Sequence, residues 1–263
     1  MSETLIKFDN ITKRFSLRKG DIVAVKDFSL EIKKGEILTI VGASGCGKTT
    51  VLNMVAGFLT PSSGNILLDG QPITKIEPRC GMIFQNYALF PWLSVRKNVE
   101  FGPKINGVSK KVRREESAKY IEMVGLKGFE DAYPGELSGG MRQRTALCRV
   151  LANKPDILLC DEPFAALDAM TRQIMQQELL RIVNESGQTV LFITHSIDEA
   201  LILSDKIVVM SVRPGTVKHI YDIELPHFGK VEVQLTDEYL KLKRQIWAMV
   251  EEEVKISMKI VSS

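Results

Sequence analysis

The chain contains 263 residues, enough for one large domain or two small ones with a sizeable buried core. Hydrophobic residues make up 44% of the sequence and charged residues 25%, which excludes disordered, collagen-like and mucin-like chains. The 35 basic and 32 acidic residues leave a net charge of +3, too small for the electrostatic footprint of an obligate nucleic-acid binder.

The apolar segments of the chain are short. The longest, VLFI at 190–193 and KIVVM at 206–210, fall far below the roughly 20 residues of a transmembrane helix. The first ten residues, MSETLIKFDN, lack the basic segment, apolar run and cleavage site of a secretory signal. The four cysteines form no CxxC pair. We therefore expect a cytosolic chain with reduced thiols that does not itself cross a bilayer.

The first part of the chain combines a β layer with a strand–loop–helix unit. Alternating apolar and polar residues at 5–11 and 21–36 predict two antiparallel strands, joined by a turn near Lys19-Gly20-Asp21. The run ILTIVG at 37–42 predicts a buried strand leading into a glycine-rich loop. The segment at 48–57 predicts the helix after that loop, ended by Gly57.

The rest of the chain is predicted to be an α/β sheet with a helical insertion. Helical spacing with interspersed Pro and Gly predicts an inserted α-helical subdomain at about 87–153. Apolar runs at 156–160, 189–193 and 206–210 alternate with helical segments, the pattern of a parallel sheet.

Apolar residues recur at helical spacing from Thr236 to about Val254. They predict an amphipathic terminal helix that packs on its own domain. We therefore predict one domain over 4–230, containing the insertion, and a short helical extension over 231–263.

The segment GASGCGKT, Gly42 to Thr49, fits the phosphate-loop pattern G-x-x-x-x-G-K-[ST] and lies between a predicted strand and a predicted helix. Its glycines let backbone N–H groups turn inward, and the helix start adds positive potential, so the loop suits a di- or triphosphate. A thiol near a helix start is expected to be unusually acidic and reactive, so alkylation of Cys46 should block nucleotide binding. The predicted phosphate contacts are Gly42, Ala43, Ser44, Gly45, Cys46, Gly47, Lys48, Thr49 and Thr50.

Polar residues follow two of the predicted strands and the apolar segment GMIF. Asp161 and Glu162 end the strand of DILLCDEP, where Asp161 suits the Mg²⁺ shell and Glu162 can meet an attacking water. His195 follows VLFIT, and Gln85 follows GMIF with an amide that can contact Mg²⁺ or order water. Each also has a structural interpretation: an acid pair is typical of a solvated sheet edge, and a lone histidine or loop glutamine is often unrelated to function.

The segment ELSGGMRQR provides a second anion site. Ser138 is placed as an N-cap before Gly139, Gly140 and a strong helical pattern, so backbone N–H groups are again available to a phosphate. Because this site belongs to the helical insertion, it is best used on a nucleotide held by another copy of the chain. We therefore expect a head-to-tail dimer with two-fold symmetry and two sandwiched nucleotides. A capping motif without a ligand is the alternative.

Taken together, these motifs resemble the complete ordered motif set of an ATP-binding cassette (ABC) transporter ATPase. The resemblance covers about residues 4–225 and implies a P-loop NTPase (RecA-like) fold with ATP and Mg²⁺ as cofactors. The motifs are GASGCGKTT, Gln85, LSGGMRQR, ILLCDEP, ALD at 166–168 and FITHSIDEA at 192–200.

The resemblance also implies roles for individual residues. Phe15 would stack on adenine, although an isolated phenylalanine is more often part of a core. Ser138, Gly139 and Gly140 would contact the partner copy's γ-phosphate, and Asp168 would make dimer contacts. Catalysis would involve Glu162 as general base, His195 as γ-phosphate sensor and Gln85, and Mg²⁺ would be held by Thr49, Gln85 and Asp161.

A single cassette without membrane spans would require separate permease subunits and, indirectly, a solute-binding protein. The residues Tyr87, Leu89, Phe90 and Trp92 are suited to receive a short permease helix, or else they pack within the insertion. This arrangement would place the chain at the cytoplasmic face of the cell membrane.

Two segments, DEPFAALDAMTR at 161–172 and VVMSVRPGTVKHIYDIELP at 208–226, together resemble importer ATPases for nitrate, sulfonates and taurine. The 33 residues after Lys230 are too few for the regulatory barrel of many sugar-importer ATPases, and the RPG turn and the following ELP are the most telling letters. Importers of thiamine precursors, riboflavin or aromatic acids remain alternatives. A soluble ABC ATPase acting on ribosomes or DNA and a non-hydrolysing interaction module are alternatives of another class.

Overall fold

The computed structural model describes residues 3–17, 20–225 and 233–261. The chain divides into two compact units: unit 1 comprises Met1–Pro78 and Val183–Ser263, and unit 2 comprises Arg79–Ile182. Within the described ranges, no helix is both long enough and apolar enough to span a membrane.

Unit 1 begins with an antiparallel sheet of four strands: β1, Thr4–Leu17; β2, Gly20–Lys33; β4, Ser63–Leu68; and β5, Gln71–Pro72. They lie in the order β2-β1-β4-β5. Its core includes Phe8 and Phe28, whose rings meet edge to face with centroids 5.4 Å apart. The predicted β layer is therefore present, although Lys19 of the predicted turn lies outside the described residues.

The second part of unit 1 is a mostly parallel group of strands. Strand β3, Ile37–Val41, lies between β8, Thr189–Ile193, and β9, Lys206–Met210, and is parallel to both. Strand β10, Val217–Asp222, pairs antiparallel with β9. All residues of β3 and β8 are buried, which explains their continuous apolar sequences.

Among the residues that the structure describes, three α-helices belong wholly to unit 1. Helix α1, Lys48–Val55, follows β3 and ends before Gly57, whose φ is +74°. A Cβ at Gly57 would lie 2.0 Å from the carbonyl oxygen of Lys75, so no other residue fits there without a shift of the backbone. The other two are α7, Ile197–Leu203, and α8, Asp237–Val261.

Helix α8 packs on unit 1, as the sequence predicts, and extends seven residues beyond the predicted end at Val254. Tyr239 and Ile246 are buried in a cluster with residues of α7 and β9. The Tyr239 hydroxyl donates to Asp198 Oδ1 at 2.6 Å, and the N–H of Val212 donates to Glu253 Oε2 at 2.8 Å. The predicted domain boundary at 230/231 lies outside the described residues.

Unit 2 contains the parallel strands β6, Cys80–Ile83, and β7, Ile157–Asp161, together with a group of helices. It is wider than the predicted insertion of 87–153 because it includes both strands. A further helix, α6, begins in unit 2 and ends in unit 1. The helices are α2, Val95–Val99; α3, Phe101–Ile105; α4, Lys110–Met123; α5, Gly139–Leu151; and α6, Ala169–Ser186.

Candidate functional site

The predicted phosphate loop lies between β3 and α1 in unit 1. Two of its glycines are required by close approaches of other backbone segments. A Cβ at Gly42 would lie 2.8 Å from the carbonyl oxygen of Met210, and a Cβ at Gly47 would lie 2.9 Å from that of Ala24. Gly47 also has a φ of +102°, which side chains of L residues rarely allow. Residues with a side chain at either of these two positions would therefore disrupt the tight loop.

The charge of this loop is positive. The ammonium group of Lys48 is buried and donates to the carbonyl oxygens of Gly42 at 2.8 Å and Ala43 at 3.0 Å, so it lies over the loop. Helix α1 starts without a side-chain cap and has no acidic residue in its first turn. An uncapped helix start and a buried ammonium group together favour the binding of phosphate groups.

The expectation of an acidic, reactive thiol at Cys46 is wrong. Cys46 is 1% exposed, and its burial raises the pKa of the thiol, although Lys48, with Nζ 3.7 Å from Sγ, acts in the opposite direction. The loss of hydration outweighs the nearby positive charge. Cys46 is therefore a structural residue of the loop with low thiolate content.

His195 lies at the same end of the unit 1 strands as the phosphate loop. Strands β3 and β8 are parallel, with Ile40 opposite Ile193, so the loop after each strand leaves from the same edge. His195 is exposed and follows Thr194, whose hydroxyl accepts a hydrogen bond from the N–H of Ser196 at 3.0 Å. The structure thus places His195 where ligands of parallel sheets bind.

In unit 2 the structure brings Gln85 and Glu162 together. Strands β6 and β7 are parallel, with Ile83 opposite Cys160, and the two polar residues follow their carboxyl ends. The Gln85 amide donates to Glu162 Oε2 at 3.2 Å. Asp161 is buried at the end of β7, whereas Glu162 is only half-buried, so the two carboxylates face different surroundings.

The backbone of Glu162 is strained. Its φ is +50°, in the left-handed region that residues other than glycine rarely adopt. Such strain persists only where the surroundings hold it, and it is concentrated at functional sites.

The predicted second anion site is the start of α5. Ser138 is its N-cap and accepts a hydrogen bond from the N–H of Met141 at 3.3 Å. Asp168 caps α6 by accepting from the N–H of Thr171 at 3.0 Å, and this bond lowers the pKa of the Asp168 carboxyl. Ser138 and Asp168 are both exposed.

Phe15 lies on β1 of unit 1, opposite Ile22 of β2. Its ring is half-buried, and Lys13 Nζ lies 5.3 Å from the ring centroid. Phe15 is therefore not a fully buried core residue, and its predicted role in stacking on adenine stays a prediction.

Comparison with known proteins decides the family. The sequence profile of the ABC transporter family matches residues 25–165, more than half of the chain. The chain belongs to the ABC transporter family. The matched residues include the phosphate loop, Gln85, the start of α5 and the acidic pair Asp161 and Glu162. This match confirms the resemblance seen in the sequence.

Individual similar proteins support the assignment to the ABC transporter family. The chain, which we call the cassette below, is 47% identical to a taurine import ATP-binding protein of Roseobacter denitrificans over 86% of this chain and 85% of the relative. It is 44% identical to a nitrate import ATP-binding protein of a Synechocystis species over 91% and 89%. It is also similar to a dimeric ATP-binding cassette solved in a post-hydrolysis state with ADP and Pi, with a TM-score of 0.76 and 33% identity over 83% and 99%. The cassette therefore has the P-loop NTPase fold.

The donor atoms of the predicted metal ligands suit Mg²⁺. The hydroxyl of Thr49, the amide oxygen of Gln85 and the carboxylate of Asp161 are all hard oxygen ligands. Among the described residues, no group of three or more His, Cys, Asp or Glu side chains forms a metal site. A single carboxylate fits an ion that nucleotide phosphates and water also coordinate.

Two residues of α5 that the sequence does not single out hold the loops of unit 2. The buried amide of Gln143 donates to the carbonyl oxygen of Glu162 at 3.2 Å and accepts from the N–H of Ala166 at 3.0 Å. The Arg149 guanidinium donates to the carbonyl oxygens of Tyr87, at 3.3 Å, and Ala88. One signal in the sequence points to Gln143: it shares helical spacing with the apolar residues Ala146, Leu147 and Val150, which are also buried.

Proposed function

We propose that the cassette is the ATP-hydrolysing subunit of an importer that drives uptake of a small solute through a separate permease. Membership of the family makes the chain an ATPase of the ABC transport class. The observation that carries the proposal is the pairing of Gln85 with Glu162, because it holds a half-buried carboxylate where a catalytic base is expected. The taurine and nitrate import relatives support a nitrate, sulfonate or taurine-like solute.

Nucleotide binding would rest on the phosphate loop. Lys48 and the backbone N–H groups of 42–49 would hold the β- and γ-phosphates of ATP, and Phe15 would stack on the adenine. Thr49, Gln85 and Asp161 would hold Mg²⁺, which when bound neutralises phosphate charge.

Hydrolysis would begin with a proton transfer. The Glu162 carboxylate would accept a proton from the attacking water while the water oxygen bonds to the γ-phosphorus. The bond from that phosphorus to the β–γ bridging oxygen would break, with ADP as the leaving group and phosphate as the second product. The Gln85 amide would keep Oε2 of the Glu162 carboxylate oriented. His195 donates a hydrogen bond to the γ-phosphate.

The start of α5, at Ser138, Gly139 and Gly140, binds the γ-phosphate of the nucleotide held by the partner copy, with Asp168 at the dimer contact. Two copies thus complete each other's sites. Closure by ATP and reopening after hydrolysis switch the permease between two states.

The loop after Gln85 is the surface we assign to the permease. Trp92 is 70% exposed, and its ring lies 5.7 Å from that of Phe90. Arg149 fixes the backbone of this loop from α5. An exposed tryptophan on a loop anchored beside Gln85 suits a short helix of a permease, which would hold the cassette at the cytoplasmic face of the membrane.

The test is transport by the assembled system. The cassette is co-expressed with a candidate permease and a candidate solute-binding protein, purified from membranes and reconstituted in vesicles. We expect ATP-dependent uptake of labelled taurine, an alkanesulfonate or nitrate. Uptake of a thiamine precursor, riboflavin or an aromatic acid instead would show that the cassette belongs to an importer for one of those solutes. Purification with ribosomes or DNA and without any permease would contradict the proposal.

A further inference from the structure

Helix α5 lies against the loop that carries Glu162. A Cβ at Gly140, in the first turn of α5, would lie 3.2 Å from Leu167 Cδ2 and 3.6 Å from the carbonyl oxygen of Ala166. The first turn of the helix and the segment 166–167 are therefore in close contact. A shift of the start of α5 would therefore displace the segment 166–167.

One turn further along, the side chain of Gln143 bridges both ends of the loop 162–166. Its Nε2 donates to the carbonyl oxygen of Glu162 at 3.2 Å, and its Oε1 accepts from the N–H of Ala166 at 3.0 Å. The loop also closes on itself, since the N–H of Ala165 donates to the carbonyl oxygen of Glu162 at 3.2 Å. Gln143 is 3% exposed, so water does not compete for these bonds.

The bridge reaches the backbone at the strained residue itself. With a φ of +50°, Glu162 needs contacts that hold its peptide groups in place. The amide of Gln143 supplies one at its carbonyl group, while Gln85 holds its carboxylate. Backbone and side chain of the proposed base are thus fixed by separate amides.

We infer that Gln143 is a positioning residue that makes the placement of Glu162 depend on helix α5. Since the proposed function assigns the start of α5 to the partner copy's nucleotide, the inference rests on that function. Occupation of one ATP site would shift α5, and Gln143 would pass the shift to the base that serves the other site. The two sites of the dimer are thereby coupled through one buried amide.

The test compares two variants with a matched control on the same helix. Gln143→Met keeps the length and approximate volume of the side chain but removes both hydrogen bonds, and Gln143→Glu in its ionised form loses the donor to Glu162. Thr145→Val is the control, because the Thr145 hydroxyl is also buried and bonds only within α5, to the carbonyl oxygen of Met141 at 2.8 Å.

ATP hydrolysis by the full chain is measured against ATP concentration, together with the midpoint of thermal unfolding. We expect kcat of both Gln143 variants to fall about 10- to 100-fold, as misplacement of a catalytic group does, with KM unchanged within about threefold. The Hill coefficient for ATP should fall towards one. Thr145→Val should keep the kcat and the Hill coefficient of the unaltered protein.

A folded Gln143 variant with unaltered kcat and Hill coefficient would overturn the inference. Equal losses in Thr145→Val, or failure of both Gln143 variants to fold, would also overturn it, because the amide would then be a structural residue only. Hydrolysis by the unaltered chain and by Glu162→Gln is measured in parallel. Failure of the unaltered chain to hydrolyse ATP refutes the proposed function, whereas full activity in Gln143→Met refutes only the coupling.

Discussion

At the scale of single residues, Glu162 differs from the other carboxylates of unit 2. It follows a buried strand, its backbone has a positive φ, and its carboxylate accepts from Gln85. Exposed acids such as Glu122 instead form surface ion pairs, in this case with Lys127 at 2.6 Å. Surface pairs of that kind contribute little to stability or chemistry.

Replacing Glu162 by Gln should remove hydrolysis without removing ATP binding. The amide is isosteric but cannot accept the proton of water, so we expect kcat to fall about 100-fold or more. Phosphate release and nucleotide binding are measured separately. The matched control, Glu122→Gln, removes a surface charge of the same unit and should leave kcat unchanged. Undiminished hydrolysis in Glu162→Gln would mean that another group is the base.

The thiol of Cys46 should react slowly despite its position in the phosphate loop. Its raised pKa leaves less thiolate at pH 8 than a free cysteine has, and the rate should rise about tenfold per pH unit below that pKa. Labelling with iodoacetamide, followed by mass spectrometry of each cysteine peptide, measures this. The half-buried Cys80 serves as the internal comparison. Faster labelling at Cys46 than at Cys80 at pH 7 would contradict the assigned burial.

At the scale of secondary-structure elements, the loop after Gln85 and helix α8 carry the two tryptophans of the chain. Trp92 is 70% exposed and Trp247 60% exposed, so the two form a matched pair in which only Trp92 is assigned to the permease. We expect Trp92→Ala to weaken binding to the permease by about 30-fold, the effect of a buried interface tryptophan, and Trp247→Ala to have no effect. Co-purification and binding to permease in detergent measure this. Equal binding by both variants would remove the loop from the interface.

Helix α8 should contribute to the stability of unit 1. Ile246 is fully buried in the cluster with α7 and β9, so Ile246→Ala should lower the free energy of unfolding by about 2–5 kcal/mol. The exposed neighbour Trp247 provides the control. Trp247→Ala should change the free energy of unfolding by about 0.5 kcal/mol or less. Urea unfolding followed by circular dichroism compares them. An Ile246→Ala midpoint equal to that of the unaltered protein would show that α8 does not stabilise unit 1.

The secondary-structure elements that the sequence predicts are those whose burial leaves a clear pattern of apolar residues. Strands β3, β7, β8 and β9 are continuous apolar runs because almost all their residues are buried, and α8 has one buried face. Strands β4 and β10 have no such signal, since several of their residues are exposed, and β5 has only two residues.

Among site residues, local motifs indicate the phosphate loop and the acidic pair. The bridge made by Gln143 depends on tertiary contact between α5 and the loop after β7, which no local pattern encodes. The pKa of Cys46 could not be predicted because burial, which the motif does not specify, outweighs the adjacent charge.

At the scale of the whole molecule, the proposed ATP hydrolysis requires two copies of the chain. Each copy offers a phosphate loop in unit 1 and a capped helix start in unit 2, and we assign the second to the partner's nucleotide. The similar cassette bound to ADP and Pi is dimeric. Dimerisation should therefore depend on nucleotide and should be most stable when hydrolysis is blocked.

Sedimentation of Glu162→Gln with Mg²⁺ and ATP tests this claim most directly. We predict a species of twice the 29.5 kDa chain mass that holds two ATP molecules, and no such species for Lys48→Ala, which lacks the ammonium group of the phosphate loop. Binding of one ATP per chain to a protein that stays at 29.5 kDa at every concentration would contradict the account.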